Sequence, residues 1–124
     1  MWLYKQKTGG FFHNDIWLHD GYSGFGDLGK NRPGAQSQVG IGPIPVGAYI
    51  IGGLADEDQH GPVALHLIPE PGTETFGRSG FLMHGDSREH FGSASHGCII
   101  MPREVREASE ASRDRQLIVI SGNV

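Results

Sequence analysis

The sequence contains a single cysteine, Cys98, among its 124 residues. One thiol excludes an intrachain disulfide, so the fold has to be held without a covalent cross-link. A lone cysteine is most often an inert buried apolar residue. A reactive nucleophile and a metal ligand are the two other uses of such a thiol, and its neighbours decide among the three.

Basic residues are also scarce. Lys and Arg number 10 against 14 Asp and Glu, which gives a net charge of −4 at pH 7, and the basic residues form no cluster. Clustered positive charge supplies most of the affinity of proteins for a phosphate backbone. We therefore expect no nucleic acid as a partner.

Long apolar runs are missing as well. The longest, such as 117–120, span four or five residues, whereas a helix needs about 20 to cross a bilayer. The first seven residues lack a basic segment followed by an apolar run and a cleavage site. We therefore expect no insertion into a membrane. We expect the protein to be made in the cytoplasm without a signal peptide and to be secreted by a route other than general export.

Glycine, by contrast, is abundant. The chain has 20 glycines, roughly twice the usual share of about 7%. They follow no three-residue period, which excludes collagen and places much of the backbone in turns and loops. The length predicts one domain over residues 1–124.

Short β-branched and aromatic segments bounded by glycine or proline predict a mostly β fold with one short helix. Segments 2–6 and 11–18 predict a hairpin about Gly9 and Gly10. Residues 20–47 show no period and predict a long packed loop. Residues 102–113 predict the helix, with Val105, Ala108 and Ala111 as its buried stripe. Further strands are predicted at 46–51, 63–68, 81–84, 98–101 and 116–121, with 56–61 as a polar turn.

Two histidines and two glycines surround the cysteine. His84-Gly85 ends one predicted strand, and Ser95-His96-Gly97-Cys98 enters another. A free thiol is only about 3% ionised at pH 7, so thiol chemistry needs a nearby base, and His84 on a neighbouring strand can supply it. The glycine before Cys98 lets backbone N–H groups turn toward an oxyanion. This pattern favours a Cys-His acyl-transfer centre.

Two other interpretations remain open from the residues alone. Cys98 can be a buried strand residue while the histidines belong to a polar loop. A zinc site is the second, although no pair of residues has a compact zinc-finger spacing. The side chains available for it are His66, His84, His90, His96 and Cys98.

The same residues resemble a family signature. A histidine-glycine pair upstream of Ser95-His96-Gly97-Cys98 is similar to the signature of L,D-transpeptidases of the YkuD type. Segments 21–24, 39–52 and 77–87 resemble the branch of this family formed by type VI secretion effectors, which are compact antibacterial toxins. The resemblance covers nearly the whole chain. It implies a compact β-sandwich or barrel like an L,D-transpeptidase catalytic domain, with one short helix.

The resemblance also implies residue roles. Cys98 is the nucleophile, His84 is its base, the Gly85 carbonyl orients that base, and the amides of Gly97 and Cys98 form the oxyanion hole. Ser95 and His96 shape the substrate site, and Tyr22 contacts the stem peptide. The family usually has an arginine two residues after the cysteine, where this chain has Ile100. In its absence, the candidates for recognising a substrate carboxylate are Arg78, Arg103 and Arg106.

The implied function is antibacterial. The effector acts on peptidoglycan tetrapeptide stems in the periplasm of target bacteria, by L,D-carboxypeptidase trimming or by exchange with D-amino acids. It needs no cofactor and no metal. Its expected partners are the tetrapeptide stems, a cognate immunity protein and a component of the secretion machine.

Two alternatives belong to other classes of protein. One is an NlpC-type Cys-His endopeptidase or amidase, in which the cysteine usually precedes the histidine, the reverse of the order here. The other is a non-catalytic module that binds the cell wall, with Cys98 incidental.

Overall fold

The computed structural model describes residues 1–56 and 60–122. Within these ranges nine strands form one sheet, and the prediction of a mostly β fold is confirmed. The strands are β1 (Trp2–Lys5), β2 (Gly10–His13), β3 (Ile16–Asp20), β4 (Tyr22–Ser23), β5 (Gly47–Leu54), β6 (Leu65–Pro69), β7 (Leu82–His84), β8 (Ile99–Ile100) and β9 (Gln116–Ile120). Their order across the sheet is β3-β2-β1-β9-β5-β6-β7-β8-β4.

Gly21 brings the two ends of this sheet together. Strands β3 and β4 lie at opposite ends of the order, yet only Gly21 separates them along the chain. The sheet therefore curls into a nearly closed barrel. A Cβ on Gly21 would lie 1.9 Å from the carbonyl oxygen of Ile100, and a Cβ on Gly9 would lie 1.8 Å from the carbonyl oxygen of Gly21. The corner has room only for glycine.

The core fills the inside of the curled sheet. Side chains alternate along each strand, so every second residue points inward. Tyr49 and Phe81 meet edge to face, with ring centroids 6.0 Å apart. The other buried members of this cluster are Trp2, Tyr4, Phe11, Ile44, Ile51, Leu65, Leu67, Met83, Ile99, Met101, Val105, Leu117 and Val119.

Two α-helices are present in the described residues, α1 (Gly26–Gly29) and α2 (Arg103–Ala111). The helix predicted at 102–113 is α2. The predicted buried stripe of α2 is wrong in two of its three members. Val105 is buried, but Ala108 and Ala111 are exposed, and Arg106 and Ser109 are buried in their place. Hydrogen bonds explain the exchange, because the side chains of Arg106 and Ser109 both donate to backbone carbonyls.

The structure corrects two other predictions of local structure. Segment 11–18 is not one strand, because Asn14 and Asp15 have φ of 48° and 68° and form a tight turn between β2 and β3. Asn and Asp tolerate this left-handed conformation better than most residues. Segment 20–47 is not wholly irregular, since it contains β4, α1 and a 3₁₀ turn at Pro33–Ala35. Part of the turn predicted at 56–61 falls on residues 57–59, outside the described residues.

Within the described ranges, no helix has the length and apolar character needed to span a membrane.

Candidate active site

Adjacent parallel strands place His84 and Cys98 on one face of the sheet. Strands β7 and β8 are paired in parallel, with Met83 opposite Ile99 and His84 opposite Ile100. Met83 and Ile99 are fully buried in the core, so the alternation directs His84 and Cys98 to the opposite face. Both residues line one cavity of about 460 Å³. The structure therefore brings together the two residues that the motif singled out.

His84 is held in a defined orientation by its neighbour. Its Nδ1 lies 2.8 Å from the carbonyl oxygen of Gly85. A carbonyl only accepts hydrogen bonds, so Nδ1 carries the proton and Nε2 of the neutral ring is the free acceptor. Burial lowers the pKa of His84, and the charges of His60 and Arg106 lower it further, against the opposing effects of Gly85 and Asp86. The imidazole is therefore a neutral base at pH 7.

The half-buried thiol of Cys98 is also neutral at rest. Burial raises its pKa above the ordinary value, although a backbone hydrogen bond from Leu82 and the charge of Arg78 act in the opposite direction. The Sγ atom lies 4.0 Å from the carbonyl oxygen of Gly80. The cavity thus holds a neutral thiol and a neutral imidazole.

Ser95 fixes the backbone that leads into Cys98. Its side chain is fully buried, and its hydroxyl donates to the Cys98 carbonyl at 2.5 Å. The same oxygen accepts the N–H groups of Gly24 at 2.9 Å and Gly97 at 3.2 Å. These three hydrogen bonds all join it to backbone groups, and because it is fully buried, Ser95 presents no surface to a substrate. The N–H of Gly97, expected in the oxyanion hole, is engaged by Ser95.

Arg78 ties the same segment to the long loop before β5. It is 7% exposed, and its Nη1 donates to the carbonyls of Gln36 at 2.5 Å and Pro43 at 2.8 Å. Its Nη2 donates to Gly42 at 2.9 Å and His96 at 3.3 Å. A substrate carboxylate would have to displace these backbone bonds. Arg78 also lines a second cavity, of about 350 Å³, that borders Cys98.

Tyr22 holds a loop at the edge of the site. Its hydroxyl donates to Asp86 Oδ1 at 2.5 Å and accepts the N–H of Ala94 at 3.0 Å. The Asp86 carboxylate also accepts the N–H groups of Ser87 at 2.8 Å and Gly92 at 3.1 Å. These bonds shape residues 86–94, part of which forms a wall of the cavity with Cys98. Tyr22 itself lines a different cavity, of about 250 Å³.

His96 stands between the two cavities that border the thiol. It is exposed, stacks on Phe25 with centroids 4.6 Å apart, and its Nδ1 lies 2.9 Å from the Gly40 carbonyl. It lines both the 460 Å³ and the 350 Å³ cavities, as Cys98 does. His96 is therefore placed to contact a ligand that passes over the thiol.

Sequence reasoning missed His60 and the part played by Asp86. The ring of His60 lies 5.7 Å from that of His84, centroid to centroid, and lines the same cavity. Asp86 directly follows the histidine-glycine pair, so its position in the motif was a usable signal. His60 gave none, because it lies outside every motif and reaches the site only through the fold.

The zinc alternative has no geometric support in the part of the chain that the structure describes. Across residues 1–56 and 60–122, no three His, Cys, Asp or Glu side chains converge as metal ligands. His66 and His90 are exposed, and neither lines the cavity around Cys98.

Comparison with known proteins identifies the family. The family model described as the Tlde1 domain matches residues 18–122, which is most of the chain and includes every residue of the site described above. No curated protein matches the sequence. The chain therefore belongs to the Tlde1 domain family, a family of type VI secretion effectors that modify the cell wall.

Proposed function

We propose that this effector is a cysteine-dependent enzyme that acts on peptidoglycan stem peptides by L,D-acyl transfer, as YkuD-type L,D-transpeptidases do. The observation that carries the proposal is the shared cavity of His84 and Cys98, in which the Gly85 carbonyl leaves Nε2 of His84 free as the base. The Ser95-His96-Gly97-Cys98 signature and the Tlde1 family support the same chemistry.

The first half-reaction forms a thioester. Nε2 of His84 takes the Sγ proton of Cys98 as the sulfur attacks the carbonyl carbon at the L-centre of the third stem residue. The negative charge that develops on the carbonyl oxygen needs a donor. Because the N–H of Gly97 is bonded to Ser95, we assign this role to the N–H of Cys98. The C–N bond then breaks, and His84 gives the proton to the departing amine of D-alanine.

The acceptor determines the product. When water attacks the thioester, His84 takes a proton from the water, the C–S bond breaks and the thiol is regenerated, so the tetrapeptide becomes a tripeptide. When the amine of a free D-amino acid attacks, the terminal residue is exchanged. Either outcome removes the tetrapeptide donors that a growing wall needs for cross-links, which suits an antibacterial effector.

Ser95 and Arg78 are positioning residues in this mechanism. Both hold the segment that contains Gly97 and Cys98 by hydrogen bonds to backbone groups. A Cβ at Gly97 would lie 2.4 Å from Nη2 of Arg78, so glycine is needed for this packing. Fixing a nucleophile and its oxyanion donor before substrate arrives lowers the cost of reaching the transition state.

The assay uses purified tetrapeptide muropeptides under reducing conditions, with products followed by mass spectrometry. The wild-type protein should release D-alanine or exchange it. Cys98→Ala should lower kcat/KM by at least about 10³-fold, because the nucleophile is lost. His84→Gln should lower it by about 10²–10⁴-fold, because the proton transfer is lost.

His90→Gln is the matched control. His90 is exposed on the neighbouring loop and does not line the cavity, so its variant should turn over at the wild-type rate. If the wild-type protein leaves the muropeptides unchanged, the proposal is wrong. Cleavage inside the stem without free D-alanine would instead identify an endopeptidase of the NlpC type.

A further inference from the structure

A basic cavity adjoins the catalytic cavity. Its volume is about 290 Å³, and it shares His60, Gly85 and Asp86 with the cavity that contains His84 and Cys98. Three of the chain's seven arginines line it, in a protein whose net charge is −4. Its lining is His60, Gly61, Pro62, Gly85, Asp86, Arg88, Arg103 and Arg106.

Arg106 forms the buried part of this lining. Only 8% of the residue is exposed, and its Nε and Nη1 donate to the carbonyls of Met101 at 3.0 Å and Pro62 at 2.7 Å. Its Nη2 has no hydrogen-bond partner among the described residues. A Cβ at Gly85 would lie 3.0 Å from this Nη2. A guanidinium nitrogen with unused donors therefore lies beside Gly85, one of the three residues that both cavities share.

Arg88 and Arg103 add exposed positive charge at the rim. The Nε of Arg103 is 3.8 Å from Glu107, and both side chains are more than half exposed, so the pair is weak and easily exchanged for a ligand. Asp86 also faces the cavity, but its carboxylate is already engaged by the Tyr22 hydroxyl and by backbone N–H groups. Three guanidinium groups and one carboxylate line the cavity, so the net charge of its lining is positive.

The proposed proton transfer from His84 to the leaving amine indicates which part of the substrate lies toward the basic cavity. Shared lining residues order the three cavities in a row: the basic cavity, the catalytic cavity, then the 350 Å³ cavity beyond His96 and Cys98. In the proposed reaction His84 protonates the leaving amine, so the leaving residue lies on the His84 side of the thiol. The basic cavity begins at Gly85, directly after His84, on that same side.

We propose that the basic cavity binds the terminal carboxylate of the leaving D-amino acid, with Arg88, Arg103 and Arg106 as its binding residues. The inference rests on the proposed function. Planar guanidinium groups match the geometry of a carboxylate and bond it in pairs. In exchange, the same subsite holds the carboxylate of the incoming D-amino acid. Because this subsite binds a free carboxylate, the enzyme cleaves only the last peptide bond of a stem peptide.

The test compares two soluble substrates that differ only at the C-terminus, a tetrapeptide acid and its C-terminal amide. The wild-type protein should prefer the acid by about tenfold or more in kcat/KM, as expected for a charge-assisted hydrogen bond. Arg88→Gln combined with Arg103→Gln should remove that preference, because it should lower kcat/KM on the acid more than on the amide. Both arginines are exposed, so the double variant is expected to fold.

Lys7→Gln combined with Arg113→Gln is the matched control, since both residues are exposed and lie outside the cavity. It removes the same charge and should keep the wild-type preference. Equal wild-type rates on acid and amide, or a double variant that still prefers the acid, would overturn the subsite and leave the proposed function standing. A loss of preference in the control would overturn it too, because net charge would then be the cause. No turnover of either peptide and no acyl group on Cys98 would refute the proposed function itself.

Discussion

At the scale of single residues, the site holds both members of its reactive pair in the neutral form. Burial lowers the pKa of His84 and raises that of Cys98. The resting site therefore holds no thiolate–imidazolium ion pair, and in the proposed mechanism the thiolate forms only as the proton moves to Nε2 of His84. A neutral thiol also resists oxidation better than a thiolate, which suits an unpaired cysteine.

The pH dependence of the reaction follows from these directions. His84 has to be neutral to accept a proton, and its pKa lies below the ordinary 6.5. Activity is therefore retained as the pH falls from 7 to 6.5 and is lost at lower pH, where the ring becomes protonated. A profile of kcat/KM on tetrapeptide against pH should show an acid limb with its midpoint below 6.5.

The same profile for His90→Gln should be superimposable on that of the wild-type protein. An acid midpoint above 6.5 would contradict the environment described for His84. Alkylation of Cys98 by iodoacetamide gives a second reading of the pair. Its rate should keep rising with pH beyond the point at which an ordinary thiol levels off, since burial raises the pKa of the Cys98 thiol.

Residue roles were predictable only in part. The motif identified His84 and Cys98 because their spacing along the chain placed them on adjacent strands. The hydrogen-bonding roles of Ser95 and Arg78 could not be predicted, because their partners are distant in sequence. Gly24 precedes Ser95 by 71 residues, and Gln36 precedes Arg78 by 42. Both were expected at the substrate, and the structure instead directs their hydrogen bonds to backbone.

At the scale of elements, the position of β4 depends on one corner. Gly21 joins β3 to β4 and thereby places β4 against β8, the strand that follows Cys98. The N–H of Gly21 donates to the Gly9 carbonyl at 2.8 Å. Because the Ser23 hydroxyl in β4 also donates to the Gly97 carbonyl at 3.3 Å, this corner contributes to the backbone geometry next to Cys98.

Replacement of the corner glycine should be severe. A Cβ in Gly21→Ala would lie 1.9 Å from the Ile100 carbonyl oxygen and 2.7 Å from Met101 Cε, so the backbone has to move. We expect a loss of about 3 kcal/mol or more in the free energy of unfolding. Chemical denaturation followed by circular dichroism measures it.

Gly34→Ala is the matched control for this change. No atom lies within 4 Å of a Cβ built at Gly34, so the added methyl group should leave stability within about 0.5 kcal/mol of the wild-type value or raise it slightly. A Gly21→Ala protein as stable as Gly34→Ala would show that the corner is not closely packed.

Elements were predicted best where the signal is local. The helix α2 was found from its proline start and its Glu and Ala content, and β5, β6, β7 and β9 from short apolar runs between turns. The turn at Asn14 and Asp15 was missed because the apolar residues on both sides read as one strand. The helical spacing of Ala108 and Ala111 predicted that both are buried. The hydrogen bonds of Arg106 and Ser109 instead hold another side of α2 against the core.

At the scale of the whole molecule, the proposed activity requires access to the cell wall. Stem peptides lie outside the cytoplasmic membrane, so the protein should be harmless where it is made and toxic in the periplasm. Fused to an export signal in a Gram-negative host, the wild-type protein should arrest growth or lyse cells. The same protein without the signal should not.

The control is the exported Cys98→Ala protein, matched for periplasmic amount by immunoblot. If it is as toxic as the wild-type protein, a wall-binding activity is responsible and the thiol chemistry is wrong. The muropeptides of arrested cells should contain fewer tetrapeptides than those of the control. An immunity protein remains a prediction from the resemblance, and its expected effect is to restore growth in this assay.

The amino-acid sequence by itself determined the class of the fold and contained the motif on which the proposed chemistry rests. A histidine-glycine pair, a Ser-His-Gly-Cys motif and short apolar strands are local patterns, and local patterns can be read without coordinates. Only the tertiary structure decided which backbone groups Ser95 and Arg78 hold, that His60 lies beside His84, and that Arg88 and Arg103 join Arg106 in one basic cavity. Those contacts depend on how the sheet curls and on which loops meet across it, and no spacing along the chain encodes either.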